Sequence, residues 1–174
     1  MLLGRKHVRP QHGVFVSKLN LVGSAGEYYV CAELCRQGIL AVLTPKNNPI
    51  FDVIASAPDG KKSVTIQVKT RSIGNKLGWK LGANIAKSDG AKGQFVVLVN
   101  LHEKILPDFY VYQPEDFATR VTEVYNKYIS KPKKDGNPRK DVAFRWFDEV
   151  SSDTDYHARR NDWSQIHNAL KTAA

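Results

Sequence analysis

Asp52, Gln67 and Lys69, in the stretch FDVIASAPDGKKSVTIQVKTR from Phe51 to Arg71, have the types and spacing that suit hydrolysis of a phosphodiester. Val64, Ile66 and Val68 alternate with Thr65, Gln67 and Lys69, and the two-residue period of a strand puts the aliphatic set on one face and the polar set on the other. Phe51 to Ala55 is also strand-like, and Pro58-Asp59-Gly60 between the two runs is hairpin-turn chemistry. A hairpin centred on Asp59-Gly60 puts Asp52 directly opposite Gln67. Opposed residues of an antiparallel pair have Cβ atoms roughly 4.5–5.5 Å apart on one face, so Asp52, Gln67 and Lys69 are predicted to converge. A one-residue bulge would shift that register.

A carboxylate, an amide oxygen and a lysine in one place suit a hard cation. Mg²⁺, for which Mn²⁺ can substitute, takes oxygen ligands, keeps several waters, and is held by one or two carboxylates plus substrate phosphates. Asp52 supplies the anionic ligand, and the Gln67 side chain and the Val68 carbonyl supply neutral ones. Lys69 orients or helps deprotonate an attacking water and offsets phosphate charge. The chemistry is metal-assisted phosphodiester hydrolysis. The competing reading is an ordinary solvated hairpin face.

Asp52, then fourteen residues, then Gln67-Val68-Lys69 resembles the PD-(D/E)XK nuclease superfamily in its QXK variant. A preceding helix with Glu27 in GSAGEYYVCAELCRQG and the strand-turn-strand spacing extend the resemblance over about residues 20 to 100. Ile50-Phe51 stand where that family has a proline, with Pro49 nearby, and Gln67 replaces the usual acid. The resemblance implies an α/β fold with a restriction-endonuclease-like core, a mixed central β-sheet flanked by helices. It implies a Mg²⁺-dependent DNA endonuclease of restriction, homing or junction-resolving type, acting on duplex or branched DNA. Asp52, Gln67, Val68 and Glu27 would then serve the metal, and Lys69 the water. Cutting both strands of a duplex implies a homodimer. The alternatives are a non-catalytic nucleic-acid-binding module of the same fold and an RNA-processing nuclease.

The elements that must position these residues are also readable. Asn20 to Gln37 is predicted to be a helix in which Glu27, Val30, Cys31 and Leu34 share a stripe facing the sheet. Two roles are open for Glu27. It either closes a capping box with Ser24, or stands beside Asp52 at the metal, which would also explain the small residues Gly23, Ala25 and Gly26. Cys31 and Cys35 read as small buried core residues rather than a zinc half-site, because the five histidines are scattered. Gly38 ends the helix. Ile39 to Leu43 is a strand, and the loop from Thr44 to Pro49 brings Lys46, Asn47 and Asn48 beside the metal, either at a phosphate or as a plain turn.

The 174-residue chain carries a net charge of +9 with a sequence pI near 9.6, which points to a polyanionic partner. Residues 1–18 read as a basic arm and 19–174 as one domain. Arg71, Lys76, Trp79, Lys80 and Lys87 read as a nucleic-acid-facing segment, with Arg71 nearest the scissile phosphate and Trp79 either a stacking residue or a core anchor. The loop 131–140 adds Lys133, Lys134 and Arg139. Gln94 to Asn100 and Asp108 to Gln113 are predicted strands, and Pro114 opens an amphipathic helix. Val142 to Phe147 alternates as a late strand. Asn161 or Asp162 caps a terminal helix whose Trp163, Ile166 and Leu170 join the core or a dimer surface. With two cysteines, no apolar run of membrane-spanning length and no signal-peptide pattern, a cytoplasmic protein is expected.

Overall fold

The computed structural model describes residues 18–46, 48–87, 92–148 and 156–171; the expected basic arm and Asn47 lie outside the described residues, as do the side chains of Lys18 and Lys87. The expected architecture, a mixed sheet flanked by helices, is the one observed. Five strands form the central sheet: β1 (Leu40–Leu43), β2 (Val53–Ser56), β3 (Ser63–Arg71), β5 (Gln94–Asn100) and β6 (Asp108–Tyr112), in the order β1-β2-β3-β5-β6. Only the β3–β5 pair is parallel. Strands β4 (Trp79–Gly82) and β7 (Phe144–Phe147) pair with each other as a separate antiparallel ribbon.

The β2–β3 hairpin has the register that the alternation and the turn dictate, with Val53 opposite Ile66 and Ser56 opposite Ser63. Gly60 N donates to Ala57 O at 2.9 Å, and Gly60 takes φ +71°, a left-handed conformation that glycine enters without steric cost.

Helix α1 (Lys18–Arg36) covers one face of the sheet. Val30 and Leu34, both fully buried, pack with Val53, Val64, Ile66 and Val68. Full burial of a side chain such as Leu34 stabilises the fold by about 1.5–3 kcal/mol. The helix ends where Gly38 turns left-handed: Ile39 N donates to Leu34 O and Gly38 N to Cys35 O, the paired bonds of a Schellman cap. The short helices α3 (Tyr156–Arg159) and α4 (Ser164–Leu170) follow β7. Trp163, Ile166 and Leu170 belong to this same core, which resolves their expected role in favour of packing. The N-cap position of α4 is taken by Trp163, without a side-chain cap, so neither expected residue holds it: Asp162 Oδ1 accepts Ser164 N from one residue earlier, and Asn161 Oδ1 accepts Phe109 N in β6.

Helix α2 (Pro114–Ile129), opened by Pro114 with Glu115 and Asp116 in its first turn, covers the other face. Phe117 and Val121 meet Val96, Leu98 and Tyr112 there, together with Trp79, Leu81 and Phe147 from the inner face of the ribbon. Ala83–Lys87 forms a 3₁₀ turn. No described helix is long and apolar enough to cross a membrane.

Candidate functional site

Helix α1 begins at Lys18, so Ser24 and Glu27 lie inside it rather than at its start, where a capping box would form. The orphan amides such a box satisfies are not available at Ser24. What remains is a half-buried carboxylate on the helix stripe that faces the sheet.

Gly26, next to it, sets how near that stripe comes. A Cβ at this position would lie 2.0 Å from Thr70 Oγ1 and 2.9 Å from Thr70 Cγ2, so only glycine lets α1 approach β3 here. Thr70 Oγ1 is itself buried without a hydrogen-bond partner. Small residues were expected to allow close approach at this point, and the group that approaches is the Thr70 side chain.

Asp52 arrives from the other side, and its placement corrects the expected geometry. Val53 pairs with Ile66, and the Asp52 amide also points to Ile66, donating to its carbonyl at 2.9 Å. Two successive residues thus face one, which is a bulge, and bulges re-aim side chains. The carboxylate takes up the strand's next donor: Val68 N donates to Asp52 Oδ2 at 2.7 Å. Thr44 holds the incoming loop, its amide donating to Asp52 O at 2.9 Å and its hydroxyl to Phe51 O at 3.0 Å.

Glu27 and Asp52 consequently line one cavity of about 310 Å³ with Gly23, Tyr28, Lys46 and Asn48. Burial pushes the Glu27 carboxyl above the usual carboxylate range, and the Asp52 charge pushes it further; Lys46 and Lys69 pull it partly back. Asp52, Lys46 and Lys69 therefore all lie near enough to act on the Glu27 charge. Gln67 does not share this cavity. It lines a neighbouring one of about 200 Å³ with Phe51, Thr65, Asn84 and Gln94, so the expected convergence of Asp52 with Gln67 is broken at the bulge.

The set fits a hard cation in kind. It offers two carboxylates from separate elements, although among the described residues no group of three or more His, Cys, Asp or Glu side chains gathers as a metal cluster. Mg²⁺ needs only one or two carboxylates when waters and substrate phosphates complete its shell.

Two of the expected nucleic-acid contacts turn out to be internal. Trp79 is 2 % exposed, donates from Nε1 to Val99 O at 3.2 Å and meets the Tyr110 ring edge-on, so it is a core anchor. Arg71 lies with its guanidinium 4.5 Å over the Trp79 ring, donates from Nε to Asn100 Oδ1 at 2.8 Å, and pairs with Asp148 at 3.2 Å. Its guanidinium is thus engaged by protein groups. Lys46, Lys76, Lys80, Lys133 and Lys134 are exposed, and Arg139 stacks 4.2 Å over Tyr128 and donates to Lys131 O. Cys35 is exposed and Cys31 half-buried, so neither is the buried core residue expected. Unforeseen were Phe144 and Trp146 on the outer face of the ribbon; the alternation in Phe144-Arg145-Trp146-Phe147 carried the signal, since it separates them from buried Phe147.

No protein-family model and no curated protein matches the chain. Among solved structures it is similar to a bacterial homing endonuclease, I-Ssp6803I, with a TM-score of 0.47 and 14% identity, covering 87% of this chain and 93% of that one. It is also similar to Hjc, a Holliday junction resolvase of the archaeal hyperthermophile Archaeoglobus fulgidus, with a TM-score of 0.46 and 13% identity, covering 86% of this chain and 98% of that one.

Proposed function

We propose that the chain is a divalent-metal-dependent endonuclease with a restriction-endonuclease-like core, whose reaction centre is the cavity shared by Glu27 and Asp52. One observation carries the reading: two carboxylates from different elements face the same cavity, one of them at mid-helix with its charge penalised by burial and by the other. Like charges so held are costly unless a cation joins them. Asp52 and Glu27 would hold Mg²⁺ or Mn²⁺, with the Val68 carbonyl as a neutral donor and the Gln67 amide reaching from the adjoining cavity. The cation supplies Lewis-acid polarisation of a phosphoryl oxygen and acidifies bound water. Lys69 orients the attacking water and offsets the charge that develops on the phosphate, while Lys46 on its exposed loop meets a neighbouring phosphate. The net charge of +9 suits DNA as the substrate, and cutting both strands calls for a second copy of the chain.

The position of Gln67 favours one competing reading, a nucleic-acid-binding module of the same fold that does not cut. Both readings meet in one experiment, in which supercoiled plasmid and branched DNA are incubated with protein in Mg²⁺, Mn²⁺ or EDTA. Asp52→Asn and Lys69→Ala proteins are run alongside. Metal-dependent nicking lost in both variants supports the nuclease; binding without cutting in any metal, on DNA or RNA, supports the module.

A further inference from the structure

The β4–β7 ribbon has two unlike faces. Trp79, Leu81 and Phe147 turn inward and are buried, while Lys80 and Trp146, directly opposite each other, turn outward with Phe144 beside them. Trp146 is 39 % exposed, its ring stands edge-on to Phe144 at 6.4 Å, and Lys80 Nζ sits 4.5 Å over the Phe144 ring. Gly82 lies opposite Phe144 and presents no side chain; the Asn84 amide fills the place its Cβ would take.

The basic loop 131–140 leads the chain into β7, and among the described residues the acids flanking β7 are already engaged: Asp148 with Arg71, and Asp141 with Arg145 and the Tyr125 hydroxyl. Arg71 also fixes where the ribbon stands. It lies two residues past Lys69 on β3, stacks on Trp79 of β4 and pairs with Asp148 just after β7, so both ribbon strands are tied to the strand that carries Lys69.

An exposed tryptophan with a half-exposed phenylalanine and a cation beside it matches a strand of nucleic acid, whose bases stack on such rings while its phosphates meet the cation. A base inside a duplex is already stacked on its neighbours and has no free face to offer. We infer that the outer face of the ribbon binds unpaired nucleotides of the substrate, one base stacking on Trp146 with Phe144 at its edge and Lys80 meeting the adjoining phosphate. The inference rests on the nucleic-acid reading above and narrows it to substrates with a single-stranded segment or branch.

Intrinsic fluorescence tests it, because two of the three tryptophans, Trp79 and Trp163, are 2 % and 4 % exposed and Trp146 is the accessible one. Wild-type protein in EDTA is titrated with oligothymidylate and with a duplex of equal length, and the Trp146→Ala protein likewise. Quenching by the single strand, absent in Trp146→Ala and accompanied there by about tenfold weaker binding, is the expected result. Binding without quenching, quenching that survives Trp146→Ala, or equal quenching by duplex overturns the inference. Quenching and binding with no plasmid cleavage would leave it standing while the nuclease reading fell; no binding to any nucleic acid would remove both.

Discussion

Asp52 Oδ2 accepts the Val68 amide at 2.7 Å, so one carboxylate both completes the β2–β3 pairing past the bulge and faces the cavity shared with Glu27. Those two duties separate under substitution. Asp52→Asn keeps an oxygen for Val68 N and is expected to lose less than about 1 kcal/mol of stability, whereas Asp52→Ala strands that amide at a cost of about 1–3 kcal/mol. Both variants are expected to lose Mn²⁺ binding. Urea unfolding and calorimetric Mn²⁺ titration read the two effects apart; equal stability of the variants would show that the Val68 bond contributes nothing.

Glu27 carries its raised pKa as a stability cost. Its folded-state value lies above the unfolded one, so its stabilising contribution is present below the unfolded pKa and is lost as pH rises through the folded value. At pH 7–8 without metal, Glu27→Gln is therefore expected to raise Tm by about 1–3 °C. Added Mn²⁺ should stabilise the wild type and leave the variant unmoved. A lower Tm for the variant in metal-free buffer would contradict the electrostatic account.

Gly26→Ala drives a Cβ into Thr70 and is expected to cost about 1–3 kcal/mol. Thr70→Ala removes both the Oγ1 and Cγ2 atoms in the way, so the double variant should recover much of the loss. A denaturant double-mutant cycle measures the coupling, and additive losses would show that α1 and β3 separate freely.

Arg71→Met removes an ion pair, a side-chain hydrogen bond and a cation–ring contact from a guanidinium whose side chain is only 12% exposed. A loss of about 1–3 kcal/mol is expected, with faster amide exchange in β4 and β7. Were Arg71 instead a phosphate ligand, stability would hold and nucleic-acid affinity alone would fall.

The two thiols should react in order. Burial first, and then the neighbouring Cys35 and Glu27, push the Cys31 thiol up to about 11, and the thiolate is the reactive form. Alkylation at pH 8 followed by peptide mass mapping is expected to label exposed Cys35 well before Cys31.

The hairpin was legible because strand alternation and the Pro58-Asp59-Gly60 turn are local signals, and they placed Val53 opposite Ile66. The bulge was not, since it depends on which carbonyl the Asp52 amide selects once Thr44 has pinned the incoming loop. That single residue decides whether Asp52 faces Gln67 or Glu27. Glu27 could be found on its helix stripe, yet its capping role was excluded only by a helix that starts earlier than the stripe requires. Trp79 and Trp146 are alike in sequence terms. Alternation sets Trp146 and Phe147 on opposite faces of β7, but which face turns inward follows from a pairing between strands far apart in the chain.

That same distance orders events as the chain folds. The β2–β3 hairpin closes through a turn of a few residues, whereas β4 waits for β7 until β5, β6 and α2 have been traversed. Loop closure over so long a span carries a larger entropic penalty and is rewarded only when the intervening core is in place. The hairpin bearing Asp52 and Lys69 should gain amide protection early in refolding, and the ribbon face bearing Trp146 should be completed last.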